Sequence, residues 1–158
     1  MRHLKWALVA AVIFAVPMTA KAGFVIEGSL GTGYAVTEPT GRIPTSIMIA
    51  PGWGLGEMLR LELGLNFALG DVENGDFDMQ LRPMLVLDPP LFPMYLRAVM
   101  AVSNLIAEGD TLTAFGGAAG VSFSLGGLGV FAEAGVIPYF ADVTVWTIEG
   151  RLGVYYAM

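Results

Sequence analysis

Residues 59–69 read L-R-L-E-L-G-L-N-F-A-L. Every odd position is large and apolar: Leu59, Leu61, Leu63, Leu65, Phe67 and Leu69. Every even position is polar or small: Arg60, Glu62, Gly64, Asn66 and Ala68. A period of two sends successive side chains to opposite faces of a β-strand. Two orientations satisfy it. The leucines fill a soluble core and the charges meet water, or the leucines meet lipid and the charges face the lumen of a membrane barrel. The alternation recurs, and the chain divides into eight predicted strands at 24–36, 45–54, 58–69, 77–87, 92–103, 112–125, 128–137 and 143–158. Their length favours the membrane. A tilted membrane strand needs about 9–11 residues, whereas strands of soluble domains centre near about five or six.

The predicted connections alternate in character. T-E-P-T-G-R-I-P, G-D-V-E-N-G-D, N-L-I-A-E-G-D and P-Y-F-A-D read as loops, and 54–57, D-P-P-L at 88–91 and Gly126-Gly127 read as turns. An up-and-down barrel with both termini in the periplasm has that order. Pro83 and Pro93 fall within predicted strands, where a proline removes a ladder hydrogen bond, so each is expected at a bulge or a strand end; Pro51 raises the same question near a turn.

One face of the predicted strands carries no charge. It holds Ile26, Leu30 and Tyr34, the leucines of 59–69, Leu85, Leu96, Phe115, Val130, Trp146 and Leu152, with aromatics concentrated near strand ends, as in the two aromatic girdles of a membrane barrel. The other face holds Glu27, Arg60, Glu62, Arg82, Arg97, Glu133, Glu149 and Arg151 among glycine, alanine and serine. These eight charges sum to zero. Small residues opposite long arginines suit an eight-stranded interior, which is only wide enough to be filled by side chains.

Composition agrees with this choice. The chain is 55% hydrophobic and 14% charged, against about 25% charged in a soluble domain. After residue 22 it has no apolar run near the ~18 residues of a transmembrane helix. Residues 1–22 have the layout of a secretory signal peptide: basic Arg2 and Lys5, an apolar stretch from Trp6 to Val16, Pro17, and Ala20-Lys21-Ala22 before Gly23. The stretch is too short for a retained anchor. Cleavage there leaves five arginines against 14 acidic residues, a net charge of −9. That balance excludes nucleic acid as a partner, because nothing neutralises phosphate.

The chain ends R-L-G-V-Y-Y-A-M, where Gly153, Tyr156 and Met158 follow Arg151 at the spacing of the carboxy-terminal assembly signal of outer-membrane barrels. That family usually ends in an aromatic residue, and Met158 departs from it. With the signal peptide and eight strands, the chain resembles the small eight-stranded outer-membrane barrels that include OmpX and the transmembrane domain of OmpA. The resemblance implies an all-β, eight-stranded antiparallel up-and-down transmembrane barrel at 23–158. It also implies monomeric insertion in the bacterial outer membrane, contact with outer-membrane lipid and lipopolysaccharide, and handling by the barrel assembly machinery.

Catalysis is not expected. Outer-membrane deacylases, palmitoyltransferases, phospholipases and omptin-like proteases each use a histidine, as the resemblance has it. The only histidine here is His3, and there is no cysteine. The inward glutamates have arginines available, which favours ionised partners over a raised-pKa acid. No cofactor or metal is expected. The acids Asp71, Glu73, Asp76 and Asp78 lack the spacing of a calcium loop and read as a solvated turn around Asn74-Gly75. The remaining constellation is the inward Arg/Glu set. Paired, it plugs the lumen; exchanging partners, it gates a narrow solute channel. A sideways route for apolar molecules, as in OmpW-like barrels, fits a charged lumen poorly. The expected role is structural or interactive at the cell surface, with the surface partner unknown.

Overall fold

The computed structural model describes residues 23–38, 40–56, 58–69, 79–89, 92–103, 105, 111–140 and 142–158. They form β1 (Phe24–Ala35), β2 (Gly41–Gly54), β3 (Leu59–Leu69), β4 (Met79–Leu87), β5 (Met94–Val102), β6 (Thr113–Leu125), β7 (Leu128–Phe140) and β8 (Val145–Ala157). Each strand pairs antiparallel with its neighbours in sequence, and β1 meets β8 from Val25↔Ala157 to Ala35↔Thr147, closing the barrel. The predicted signal peptide at 1–22 and the acidic stretch 71–78 lie outside the described residues.

Sequence boundaries and observed ones differ mainly at prolines. β2 begins at Gly41 rather than 45, and β7 continues through Pro138 to Phe140. β5 begins only after Pro93, so the connection 88–93 is longer than a tight turn. Pro93 stands at a strand end, as expected, with its carbonyl accepting the Ser122 amide at 2.7 Å. Pro83 does not. It is the fifth of the nine residues of β4 and pairs with Leu63 of β3 without a bulge. On its other side the ladder pairs Leu81 with Val102 and resumes at Met84 with Val99. A proline fits mid-strand there because the missing N–H falls in that interruption. Pro51 lies at a comparable interruption between β2 and β3, and Pro44 faces the bulge between Gly31 and Gly33.

The two-residue turn between β6 and β7 has Gly126 at φ 61° and Gly127 at φ 89°. Positive φ at both positions is the hairpin geometry that matches strand twist, and glycine adopts it without steric cost.

The apolar parity faces out. Leu30, Leu65, Leu85, Leu96, Phe115, Val130 and Leu152 are all exposed. Phe24 and Trp53 meet edge to face at 5.7 Å at the turn end of the barrel. Leu81 is an exception, holding the outward parity yet buried.

Candidate functional site: the charged lumen

Period-two alternation and closure send all eight predicted charges to one interior. Glu27, Glu62, Arg82, Arg97, Glu149 and Arg151 are buried, and Arg60 and Glu133 are half-buried. Their partnerships are unequal. Arg97 on β5 is the hub. Its Nη1 and Nη2 donate to Glu27 of β1 at 3.1 and 2.6 Å in a two-pronged pair. Nη1 also donates to Glu133 of β7 at 3.1 Å, and Nη2 lies 3.4 Å from Glu62 of β3. The guanidinium is 5.5 Å from each of the Tyr95 and Phe131 ring centres. One side chain thus ties four strands together across the barrel, with aromatic faces in cation–π range.

Nearer the turn end, Arg60 pairs with Glu62, and with Asp88 at 3.0 Å. Nearer the loop end, Arg82 holds Glu149 at 2.7 and 3.2 Å, and the Tyr139 hydroxyl donates to the same carboxylate at 3.1 Å. Arg82 also donates to Gln80 and to the Tyr139 oxygen. Arg151 is held more by neutral groups. It donates to Asn66 at 3.1 Å and Ser46 at 3.4 Å, lies 3.6 Å from Glu149, and its Nη1 is buried without a hydrogen-bond partner.

Alternation alone did not supply the rest of the filling. The interior is not only charged and small. Met48, Ala50, Met84, Val99, Ala101, Ala114 and Ile137 form one buried apolar cluster, and Val86, Tyr95 and Phe131 a second with Tyr155 against it. Tyr95 donates its hydroxyl to Glu133 at 2.7 Å. Its signal was present, since it lies two residues before Arg97 and so shares its face. Asp88 carried none, because it lies in a connection where parity says nothing.

The inward glycines answer these large groups. A Cβ on Gly120 would lie 2.5 Å from the Tyr95 ring, one on Gly52 2.6 Å from the Glu62 stem and one on Gly31 3.0 Å from the Arg151 guanidinium. Of the predicted assembly-signal residues, Gly153 faces inward where a Cβ would enter the Phe131 ring, while Tyr156 and Met158 are exposed.

The geometry is that of a closed eight-stranded antiparallel barrel with a buried Arg/Glu network and an apolar exterior, and comparison with solved structures finds the same fold. The chain is similar to the crystal structure of Neisserial surface protein A, with a TM-score of 0.61 and 15% identity over 87% of this chain and 99% of that one. It is similar to the N-terminal β-barrel domain of Pseudomonas aeruginosa OprF, with a TM-score of 0.53 and 14% identity over 86% and 97%. A de novo designed transmembrane β-barrel matches at TM-score 0.56 and 12% identity, over 86% and 95%. The shared property is the fold. No protein-family profile and no curated protein sequence matches the chain.

Proposed function

We propose that this chain is an integral protein of the bacterial outer membrane whose lumen is closed, with a structural or surface-interaction role rather than a catalytic or conducting one. Export by residues 1–22 and recognition of Gly153, Tyr156 and Met158 by the assembly machinery belong to the same proposal. The observation that carries the closed lumen is Arg97, which spans the interior to Glu27, Glu62 and Glu133 while Tyr95 and Phe131 fill the space beside it. The cavity bounded by Arg82, Glu133, Glu149 and Arg151 measures about 10 Å³, room for roughly one water and not for a file of solute.

Unpaired charge in such an interior is costly, so exchanging partners to open a pore would require several ion pairs to break together. Planar-bilayer recording tests this. The native barrel is expected to give no steady unitary openings. Discrete openings that change amplitude in Glu62→Gln or Arg151→Ala would establish the gated channel instead.

A further inference from the structure

The lumen charges fall into two groups of opposite imbalance. Toward the turn end, Arg97 and Arg60 face Glu27, Glu62, Glu133 and Asp88. Toward the loop end, Arg82 and Arg151 share Glu149. The small interior cavity touches both groups. Glu133 of the first lines it, with Arg82, Glu149 and Arg151 of the second. Two of these side chains have hydrogen-bonding capacity left among the described residues. Arg151 is only 6% exposed, yet its Nη1 is buried with no partner. Glu133 accepts from Arg97 at Oε1 and from Tyr95 at Oε2, and each carboxylate oxygen has a second lone pair to offer. A donor lacking an acceptor and an acceptor with room to spare thus border one enclosed space.

We infer that this cavity is a binding site for one water molecule, which accepts from Arg151, donates to Glu133 and so joins the loop-end ion pairs to the Arg97 hub. Water is the ligand that meets both needs at once, since it accepts and donates. The size agrees. The cavity measures about 10 Å³, near the volume that a single water requires, and a site for water needs two to four polar partners. An apolar cavity of this size stays dry; this one has four charged side chains on its wall. A monovalent ion fits less well. Two guanidinium groups and two carboxylates surround the space, so an ion of either sign meets two like charges where little solvent screens them. The inference rests on the closed lumen proposed above, because a lumen open to solvent would hold no water in one place.

Ala118 of β6 lines the same cavity, and it gives the test a sign. Ala118→Ser places a hydroxyl in the space, where it takes over the hydrogen bonds of the water. Ala118→Val fills the space with methyl groups and strands the Arg151 donor. With water bound, the serine variant is therefore the more stable of the two. In a dry cavity the order reverses, because methyl groups fill a void and a hydroxyl is buried without a partner. Urea unfolding in lipid is the readout, with a heat-dependent gel shift to report folding. Ala118→Ser is expected to stay within about threefold of the native unfolding constant and Ala118→Val to raise it about tenfold or more. A crystal structure of the native barrel is expected to show a single water within hydrogen-bonding distance of Arg151 Nη1 and Glu133, and the Ala118→Ser crystal to show none. Should Ala118→Val fail to fold, the electron density of the native barrel decides alone. An empty cavity, a bound ion in it, or greater stability of Ala118→Val than of Ala118→Ser would overturn the inference and leave the closed lumen standing. A file of ordered waters reaching either mouth of the barrel would overturn both.

Discussion

Arg97 has three carboxylates around it and the edge-to-face pair of Tyr95 and Phe131 beside it, so its removal leaves several buried charges short of a partner at once. Arg97→Ala is expected to destabilise the barrel by about 3–5 kcal/mol, read as a lowered urea midpoint in detergent or lipid. Tyr95 is the milder case. Tyr95→Phe keeps the ring beside Arg97 and removes only the hydroxyl that donates to Glu133, so a loss of about 1–3 kcal/mol is expected in the same assay. Presence of the charges was readable from alternation, residue by residue. Their partners were not. Arg60 and Glu62 come from one strand, but Arg97 and Glu27 are 70 positions apart, and only the register of all the intervening strands determines that they meet.

At the scale of the strand, period two sends the eight strand-borne charges to one face because side-chain direction in an extended chain is local. The β6–β7 hairpin was equally plain from Gly126-Gly127. Replacing Gly127 by Val should cost about 1–3 kcal/mol, since a β-branched residue is forced into positive φ; thermal unfolding of the folded band on a gel measures it. Pro83 was harder to place. Proline forbids a donor, but whether the strand ends, bulges or runs through depends on where its neighbour's ladder is interrupted. The interruption between β4 and β5 makes a further expectation. Amides of β5 that face β4 near Met100 should exchange with deuterium faster than those of β8 at the β1 closure, where pairing is continuous over eleven residues. Equal protection of the two seams would contradict it.

At the scale of the molecule, the barrel is an inside-out object, with charges buried and leucines exposed. Among the described residues thirty-two large hydrophobics are exposed, the arrangement expected of the lipid-facing wall proposed above. Leu63→Arg, placed outward in mid-strand, is therefore expected to cost about 2–4 kcal/mol when stability is measured in a bilayer. An unchanged stability would place that wall in water.

Residues 59–69, where the two orientations were open, show how far local pattern reaches. Period-two alternation, the Gly-Gly hairpin and the segregation of charge from bulk were enough for an eight-stranded barrel with Arg60 and Glu62 inside, because each depends on side-chain direction and turn geometry within a few residues. Closure of β1 on β8 added what no local pattern holds. It made Arg97 the hub rather than one of four equivalent arginines. It left Arg151 to Asn66 and Ser46, and packed Met48, Met84 and Phe131 among the charges. All of these are relations between strands far apart in the chain, and they exist only once the ladder has a register.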